Sequence, residues 1–424
     1  MSEDRHRLVV LGSMDEFVPL VRKARERGWH TIVCDGYPNT PAKLIADESY
    51  DVDPRDADAV ARLCAEVGAD GIVSSYSDLL AECCANIAQR AGLGCPLPPD
   101  RLAYLRDKSL MKGMFDELGI PYPKTARVRR GHVREDLEGM GFPCVTKPAD
   151  AWGSHGVRVL GDAREVEAAY DEVAGYSDAP YIFVEEYDDG LEFNLMSWVV
   201  DGRPVVLEVA DREKSDDGEA TVPWVSRIVY PSAHTDDVLG EVTEMLQKVA
   251  GYVGLLNGPL CMQFFWAPGR GVRVCECAGR IFGYEHELLE YASAGAVCVE
   301  DLLLDNVYDP VAVSSRLEGH DPHLADVAVG LYFHGRDGRV ASVGGLPDES
   351  DPLVKETVVY YRPGELISHQ VGDKPYAARV YLCSPDRGEL DRRTDELFQS
   401  ASMTDGQGRE LLLRNRRKAP EGTA

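Results

Sequence analysis

Residues 272–280 read VRVCECAGR. An alternating apolar run ends on a carboxylate, Glu276, and a guanidinium, Arg280, follows four residues later. Cysteines flank the glutamate, and Ala278 is a small residue where a ligand would be expected. The stretch allows a metal site, a phosphate site, or a buried strand running into a turn. Strand alternation predicts that Cys275 and Cys277 share one face. The eleven cysteines are scattered and contain no CxxC pair, which points to a reduced, cytoplasmic chain with buried thiols rather than a zinc site or a disulfide framework.

Working outward, CMQFFWAPGRGVRVCECA (261–278) reads as two strands joined by a tight turn, a hairpin that brings Gln263 beside Glu276. Two oxygen donors next to a polyphosphate suit Mg²⁺, with substrate oxygens and water completing the octahedron. Arg280 could then neutralise charge on a transferred phosphoryl group. The plainer alternative is that Gln263 satisfies a backbone group and Glu276 pairs with Arg280. Upstream, Lys147 ends the apolar run FPCVT, and Gly153-Ser154-His155-Gly156 follow. Such a loop brings backbone N–H groups close to phosphate oxygens. With Lys108 at the start of the preceding helix, these residues make either an anion pocket or an ordinary surface hairpin with exposed lysines.

Composition narrows the field. A chain of 424 residues exceeds one compact core and predicts about two to four domains. No apolar run is long enough for a membrane span, and the N-terminus lacks a signal-peptide core. A net charge of −27 argues against nucleic acid, which needs a basic footprint. Anionic ligands therefore need local basic pockets, and individual lysines and arginines become informative.

Strand and helix alternate from RLVVLGS to GIVSSYSD, as in a Rossmann-like parallel unit over residues 1–105 that CPLPP closes. LGSMDE lacks GxGxxG, so it does not read as a dinucleotide site. LRDKSLMKGMFDELG is an amphipathic helix, and YIFVEEYDDGLEFNLMSWVVDGRPVVLEVA reads as three strands joined by turns. From about residue 323 short strands predict a separate β-rich domain to 413, with a frayed tail over 414–424.

Taken in order, these segments resemble the ATP-grasp superfamily, most closely its carboxylate–amine ligases of the L-amino-acid ligase type. DKSLMKGMFDELGIPYPKT, FPCVTKPADAWGSHGV, FVEEYDDGLEFNL, MQFFW and VCECAGR carry the resemblance over residues 8–305. The Gln form of the metal pair also resembles the large subunit of carbamoyl-phosphate synthetase. The implied architecture is α/β: a Rossmann-like N-terminal domain, an ATP-grasp α+β region at 106–322 with a mobile lid over about 125–188, and the β-rich C-terminal domain. The resemblance places Lys108, Lys147 and the loop Gly153, Ser154, His155 and Gly156 on ATP phosphates. It places Glu185 and Tyr187 at the adenine edge, Glu192 on the ribose and Phe265 under the base. Gln263 and Glu276 would ligate Mg²⁺, or Mn²⁺ in its place, and Arg280 would stabilise the acyl phosphate. The family pattern is Glu-x-Asn-x-Arg, and Ala278 departs from it; Glu285 or Glu287 could compensate, or could face solvent on the next helix.

The function implied is an ATP-dependent ligase joining a small carboxylate, such as an amino acid, to an amine through an acyl phosphate. The alternatives are a carboxyphosphate- or carbamate-forming enzyme, or a degenerate ATP-binding module, for which Ala278 is the argument. Arg227 could grip a substrate carboxylate bidentately or be a solvent-exposed strand residue. His286 could line the same pocket or merely start a helix. Small-molecule substrates are expected, with no nucleic acid and no membrane, in a chain that could pair as a homodimer.

Overall fold

The computed structural model describes residues 5–149, 156–215, 223–348, 350–368 and 376–417. The N-terminal strands β1 (Arg7–Leu11), β2 (His30–Asp35), β3 (Glu48–Asp51) and β4 (Gly71–Val73) form a parallel sheet in the order β3-β2-β1-β4. β1 and β2 are apolar at their centres, Leu8–Leu11 and Ile32–Cys34, because helices cover both faces of a parallel sheet. The edge strand β3, ESYD, escapes a hydrophobicity reading because its residues are polar and half exposed.

A second sheet, ordered β5-β8-β6-β7, contains β5 (Thr125–Arg129), β6 (Cys144–Lys147), β7 (Arg158–Leu160) and β8 (Tyr181–Glu186). The helix Ala163–Ala174 packs on it through Val166, Tyr170 and Val173. These elements occupy the segment expected to form a lid.

The third sheet has eight strands. It uses β9 (Leu191–Val200), β10 (Arg203–Ser215), β11 (Trp224–Tyr230), β12 (Gly258–Ala267), β13 (Gly271–Ala278) and β14 (Val327–Phe333). Two short strands, β15 (Gly338–Arg339) and β16 (Ser342–Gly344), lie outside it. They precede β17 (Val354–Val359), β18 (Leu366–Ile367) and β19 (Ala378–Ser384). The large sheet runs β13-β12-β9-β10-β11-β14-β19-β17. The C-terminal strands thus add directly to β11, with Arg227 opposite Leu331. The sequence predicts a separate β-rich unit from 323, but its main strands extend this sheet. Style of sequence changes there because the sheet passes from long to short strands.

Each face of this sheet has its own cover. The helix Thr235–Val253 buries Val238, Val242, Met245, Leu246 and Val249 at helical spacing against Leu195, Val209, Met262 and Phe264. On the other face Met196, Ala210, Tyr230, Cys261 and Tyr332 pack against Leu288, Leu289 and Leu303 and against Phe17 of the N-terminal unit. That second face continues into the candidate site. No helix among the described residues is long and apolar enough to cross a membrane. All eleven cysteines are unpaired, and Cys34, Cys261 and Cys298 are buried.

Candidate active site

The site begins where the small sheet meets the helix Lys108–Leu118. Asp107 caps that helix by accepting from the N–H groups of Ser109 and Leu110, so Lys108 opens it, and Lys112 lies one turn later on the same side. Lys147 ends β6, and its Nζ lies 2.5 Å from Oε2 of Glu185 on the neighbouring β8. Lys112 Nζ is 3.7 Å from the other carboxylate oxygen and donates to the Cys275 carbonyl at 3.1 Å. Glu185 is only 5% exposed. Burial alone would raise its pKa, but the ammonium groups of Lys147 and then Lys112 hold it down at about 2. Burial likewise opposes the Lys147 charge, and Glu185 outweighs it and raises the lysine. Lys108 is lowered by burial and by Lys147, with Glu276 opposing.

The Glu185 carboxylate, at the segment expected to form the adenine edge, is the anchor of the two lysines. Tyr187 is 40% exposed, but its N–H donates to the Pro143 carbonyl at 3.0 Å, and that of Glu186 donates to Lys124 at 2.9 Å. Those hinge amides are engaged within the protein. Of the glycine loop, Gly153, Ser154 and His155 lie outside the described residues. Gly156 has φ 71°, and a Cβ there would come within 2.7 Å of Tyr176 and 2.9 Å of Pro148, so only glycine fits.

The large sheet supplies the facing surface. Gln263 is directly opposite Glu276 on β13 and Asn194 on β9. Between Gln263 and Phe264 the register slips, leaving Cys275 as the extra residue of a bulge. The bulge breaks the alternation expected of the two cysteines: Cys277 sits in the helix-covered core, and Cys275 is half buried. Gln263 Nε2 donates to Glu192 Oε1 at 2.6 Å, which leaves its carbonyl oxygen as a donor atom beside the Glu276 carboxylate. Oxygen donors of this kind suit a hard cation. Ala278, opposite Cys261 and 4% exposed, adds no ligand. Glu192 is 8% exposed and also pairs with Arg212 at 2.9 Å and with Lys214. Phe265 is opposite Glu192 on the same face and half buried.

Arg280 forms a two-pronged pair with Asp78 of the N-terminal unit, Nε at 3.0 Å and Nη2 at 2.8 Å. Its Nη1 makes only a 3.5 Å contact with the Ile281 carbonyl. Burial opposes its charge, and Asp78 outweighs burial and raises it. The guanidinium is thereby held at the junction of the N-terminal unit and the large sheet.

Other expectations fail on burial. Arg227 is 1% exposed, so it does not face solvent, and its guanidinium pairs with Glu213 at 3.0 Å and with Asp391 of the helix Arg387–Ser400. Removing it strands two carboxylates, so Arg227→Leu is expected to cost about 3–5 kcal/mol in denaturant unfolding. Glu285 is 4% exposed and accepts from Asn194 Nδ2 at 2.8 Å, so it does not face solvent; burial raises its pKa, with Arg212 opposing. His286 starts the helix His286–Ala292, but it is 1% exposed, stacks on Tyr76 at 4.3 Å, and lies 3.0 Å from Glu300.

Burial would lower His286, but Glu287 and Glu300 hold it up at about 9. Because the folded value exceeds the ordinary 6.5, its contribution is full below about pH 6.5 and is lost as pH rises through 9. We expect His286→Gln to be less stable than the parent at pH 6 by a margin that narrows by pH 10. The charge-dependent part is on the order of 3 kcal/mol, checked by urea unfolding at both pH values.

Sequence reasoning passed over Lys112, Asn194, Arg212 and Lys214. A signal existed for three of them: Lys112 is four residues after Lys108 on one helix, and Arg212 and Lys214 alternate within one strand. Asp78 gave none, because it meets Arg280 across 202 residues of chain.

Residues 140–285 match the family described as the ATP-grasp domain. The chain carries an ATP-grasp domain. The match takes in Lys147, Glu185, Glu192, Gln263, Glu276 and Arg280. The formate-dependent phosphoribosylglycinamide formyltransferase of Wolinella succinogenes is 28% identical over 188 residues, covering 43% of this chain and 47% of that protein. The chain thus spans about half the length of the relatives it first matches. The L-amino acid ligase structure from Bacillus licheniformis superposes with TM-score 0.79 at 18% identity, covering 95% of this chain and all of that one. Phosphoribosylglycinamide synthetase from Anaerococcus prevotii gives 0.71 at 18% identity with the same coverage. At such identities the structures establish the fold: the mixed α/β ATP-grasp arrangement around this domain.

Proposed function

We propose that the protein is an ATP-dependent carboxylate–amine ligase that forms an amide or peptide bond through an acyl phosphate, releasing ADP and phosphate. One observation carries it: the oxygen pair Gln263–Glu276 faces a lysine group built on Glu185, with Arg280 fixed at the edge. Lys108 and Lys147 bind the polyphosphate, Glu192 takes the ribose after exchanging one of its present donors, and Phe265 packs under the base. Gln263 and Glu276 hold Mg²⁺, which supplies charge neutralisation on the phosphates when bound. The small sheet, residues 125–186, closes over the nucleotide and excludes water.

A substrate carboxylate oxygen attacks the γ-phosphorus, the bond to the β-phosphate oxygen breaks, and ADP departs. The amine then attacks the acyl carbon, phosphate leaves, and the nitrogen loses its proton to solvent. Arg280 offsets negative charge on the acyl phosphate and on the tetrahedral intermediate. No nucleophilic side chain is needed. The carboxylate is an amino acid or another small acid; the formate named for the Wolinella relative supports a small one.

Release of ADP and phosphate from Mg-ATP, measured against pooled amino acids, small carboxylates including formate, and amines, tests this. Turnover only with a carboxylate–amine pair is expected. Turnover with bicarbonate alone would replace the proposal with carboxyphosphate chemistry.

A further inference from the structure

The segment that follows β4 is stitched to the segment that carries Arg280. The Ile281 N–H donates to Ser75 Oγ at 3.1 Å, Tyr76 forms a parallel backbone bridge with Phe282, and Asp78 takes the Arg280 guanidinium. Ser75 and Tyr76 are buried, and Tyr76 has a left-handed backbone, φ 67°. That state is unfavourable for a bulky residue and persists only where the surroundings over-determine it. Here they do: the Tyr76 ring stacks on His286 at 4.3 Å and meets Phe17 edge-on at 5.2 Å. The opposing segment is fitted as closely. A Cβ on Gly279 would come within 2.9 Å of Leu102, and one on Gly283 within 3.2 Å of the Tyr76 carbonyl.

This stitching sets where Asp78 stands. Its segment leaves the carboxyl end of β4 beside β1, where the strand order reverses, and ligand sites of parallel sheets gather at such ends. Ser77 caps the helix Asp78–Ala91 by accepting from the Leu80 N–H, which makes Asp78 its first residue. The helix dipole favours a carboxylate there. Burial would raise the Asp78 pKa, but Arg280 outweighs burial and holds it low. The pair is side-on, with Nε and Nη2 facing Asp78, and the guanidinium carbon lies 5.0 Å from the Phe282 ring centroid. Together these contacts fix where the fork points. What they leave is Nη1, whose hydrogen bond to the Ile281 carbonyl is a long 3.5 Å, and the second N–H of Nη2. Those two nitrogens form the edge that grips an oxyanion bidentately. Glu276 acts on the same guanidinium, so the free edge shares the site of the oxygen pair.

We infer that Asp78 is a positioning residue for the reaction: it aims the free edge of Arg280 at the phosphoryl group in transfer, and the N-terminal unit is thereby part of the active site. The role rests on the phosphoryl chemistry proposed above and holds whichever carboxylate is used. A plain tie between units would behave differently, and the structure supplies one for comparison. Arg27, at the end of the helix Val18–Glu26, pairs with Asp301 at 2.6 Å and Asp305 at 2.5 Å on the helix Val299–Tyr308. It joins the N-terminal unit to the rest of the chain with no candidate site residue among these contacts.

The experiment is calorimetric titration of the full chain, saturated with MgADP, with inorganic phosphate, the anion released whatever the acceptor. Asp78→Asn keeps the size of the side chain and one acceptor oxygen. It is expected to weaken phosphate binding about tenfold while MgADP affinity stays within about twofold. Turnover of Mg-ATP should lose about 10–100-fold in kcat with KM for ATP unchanged. Arg27→Gln should lower stability in urea and leave phosphate affinity and kcat at parental values. Parental phosphate affinity in Asp78→Asn, equal losses of affinity in the two variants, or no phosphate binding by the parent would overturn the proposal. The expected phosphate results with turnover on bicarbonate alone would support the role of Asp78 and overturn the ligase reading only.

Discussion

Replacing Glu276 with glutamine is expected to lower turnover of Mg-ATP by about 10²–10³-fold while leaving nucleotide affinity within a few fold. The change keeps size and hydrogen bonding, so the strand pair with Gln263 should persist. It removes the only anionic oxygen that β12 and β13 present together, and a cation held by two neutral amide oxygens neutralises phosphate charge poorly at the transition state. A loss of that size is ~3–4 kcal/mol of transition-state stabilisation. Initial rates of ADP release and equilibrium nucleotide binding, measured on the same preparation, check it. Parental turnover in the variant would sink the metal role of Glu276, and a parallel collapse of binding would move it to the ground state.

Lys147→Met should act on two quantities at once. Glu185, 5% exposed, would lose the cation 2.5 Å away and keep Lys112 at 3.7 Å. Breaking one side of a buried pair costs about 3–5 kcal/mol. The nucleotide should also lose a phosphate partner and bind at least about 100-fold more weakly. A second change separates the effects. Glu185→Gln on the Lys147→Met background should recover much of the stability, because no buried carboxylate is then stranded, and should recover none of the affinity. If affinity returned with stability, Lys147 would be a scaffold for the small sheet and not a phosphate ligand.

Much of this site was legible in the sequence because strand alternation and a hairpin turn act locally. Gln263 and Glu276 face each other since APGRG leaves one way to pair their strands, and Lys108 opens its helix since Asp107 caps it. What escaped reading depends on distant contacts. Arg227 looks like any strand arginine until Asp391, 164 residues on, buries it. Glu185 sits beside a hinge, yet two lysines from separate elements decide where its carboxylate points. The bulge at Cys275 shifts side chains by one place, and strict alternation has no means of signalling it. Likewise the change of style near 323 marks shorter strands, and only their register reveals which edge they join.

The attachment of β14 to β11 bears on how the molecule can be cut. A fragment ending at 322 would contain every residue proposed to touch nucleotide, but it would leave Trp224–Tyr230 as a bare edge. The backbone groups now bonded to Val327–Phe333 would lie open along an apolar strand that carries Ile228, Val229 and Tyr230. Such an edge recruits strands from other molecules. The natural seam in the sequence is therefore a poor place for scissors: the shortened protein should go into inclusion bodies, whereas a version that keeps β14, β17 and β19 should stay in solution.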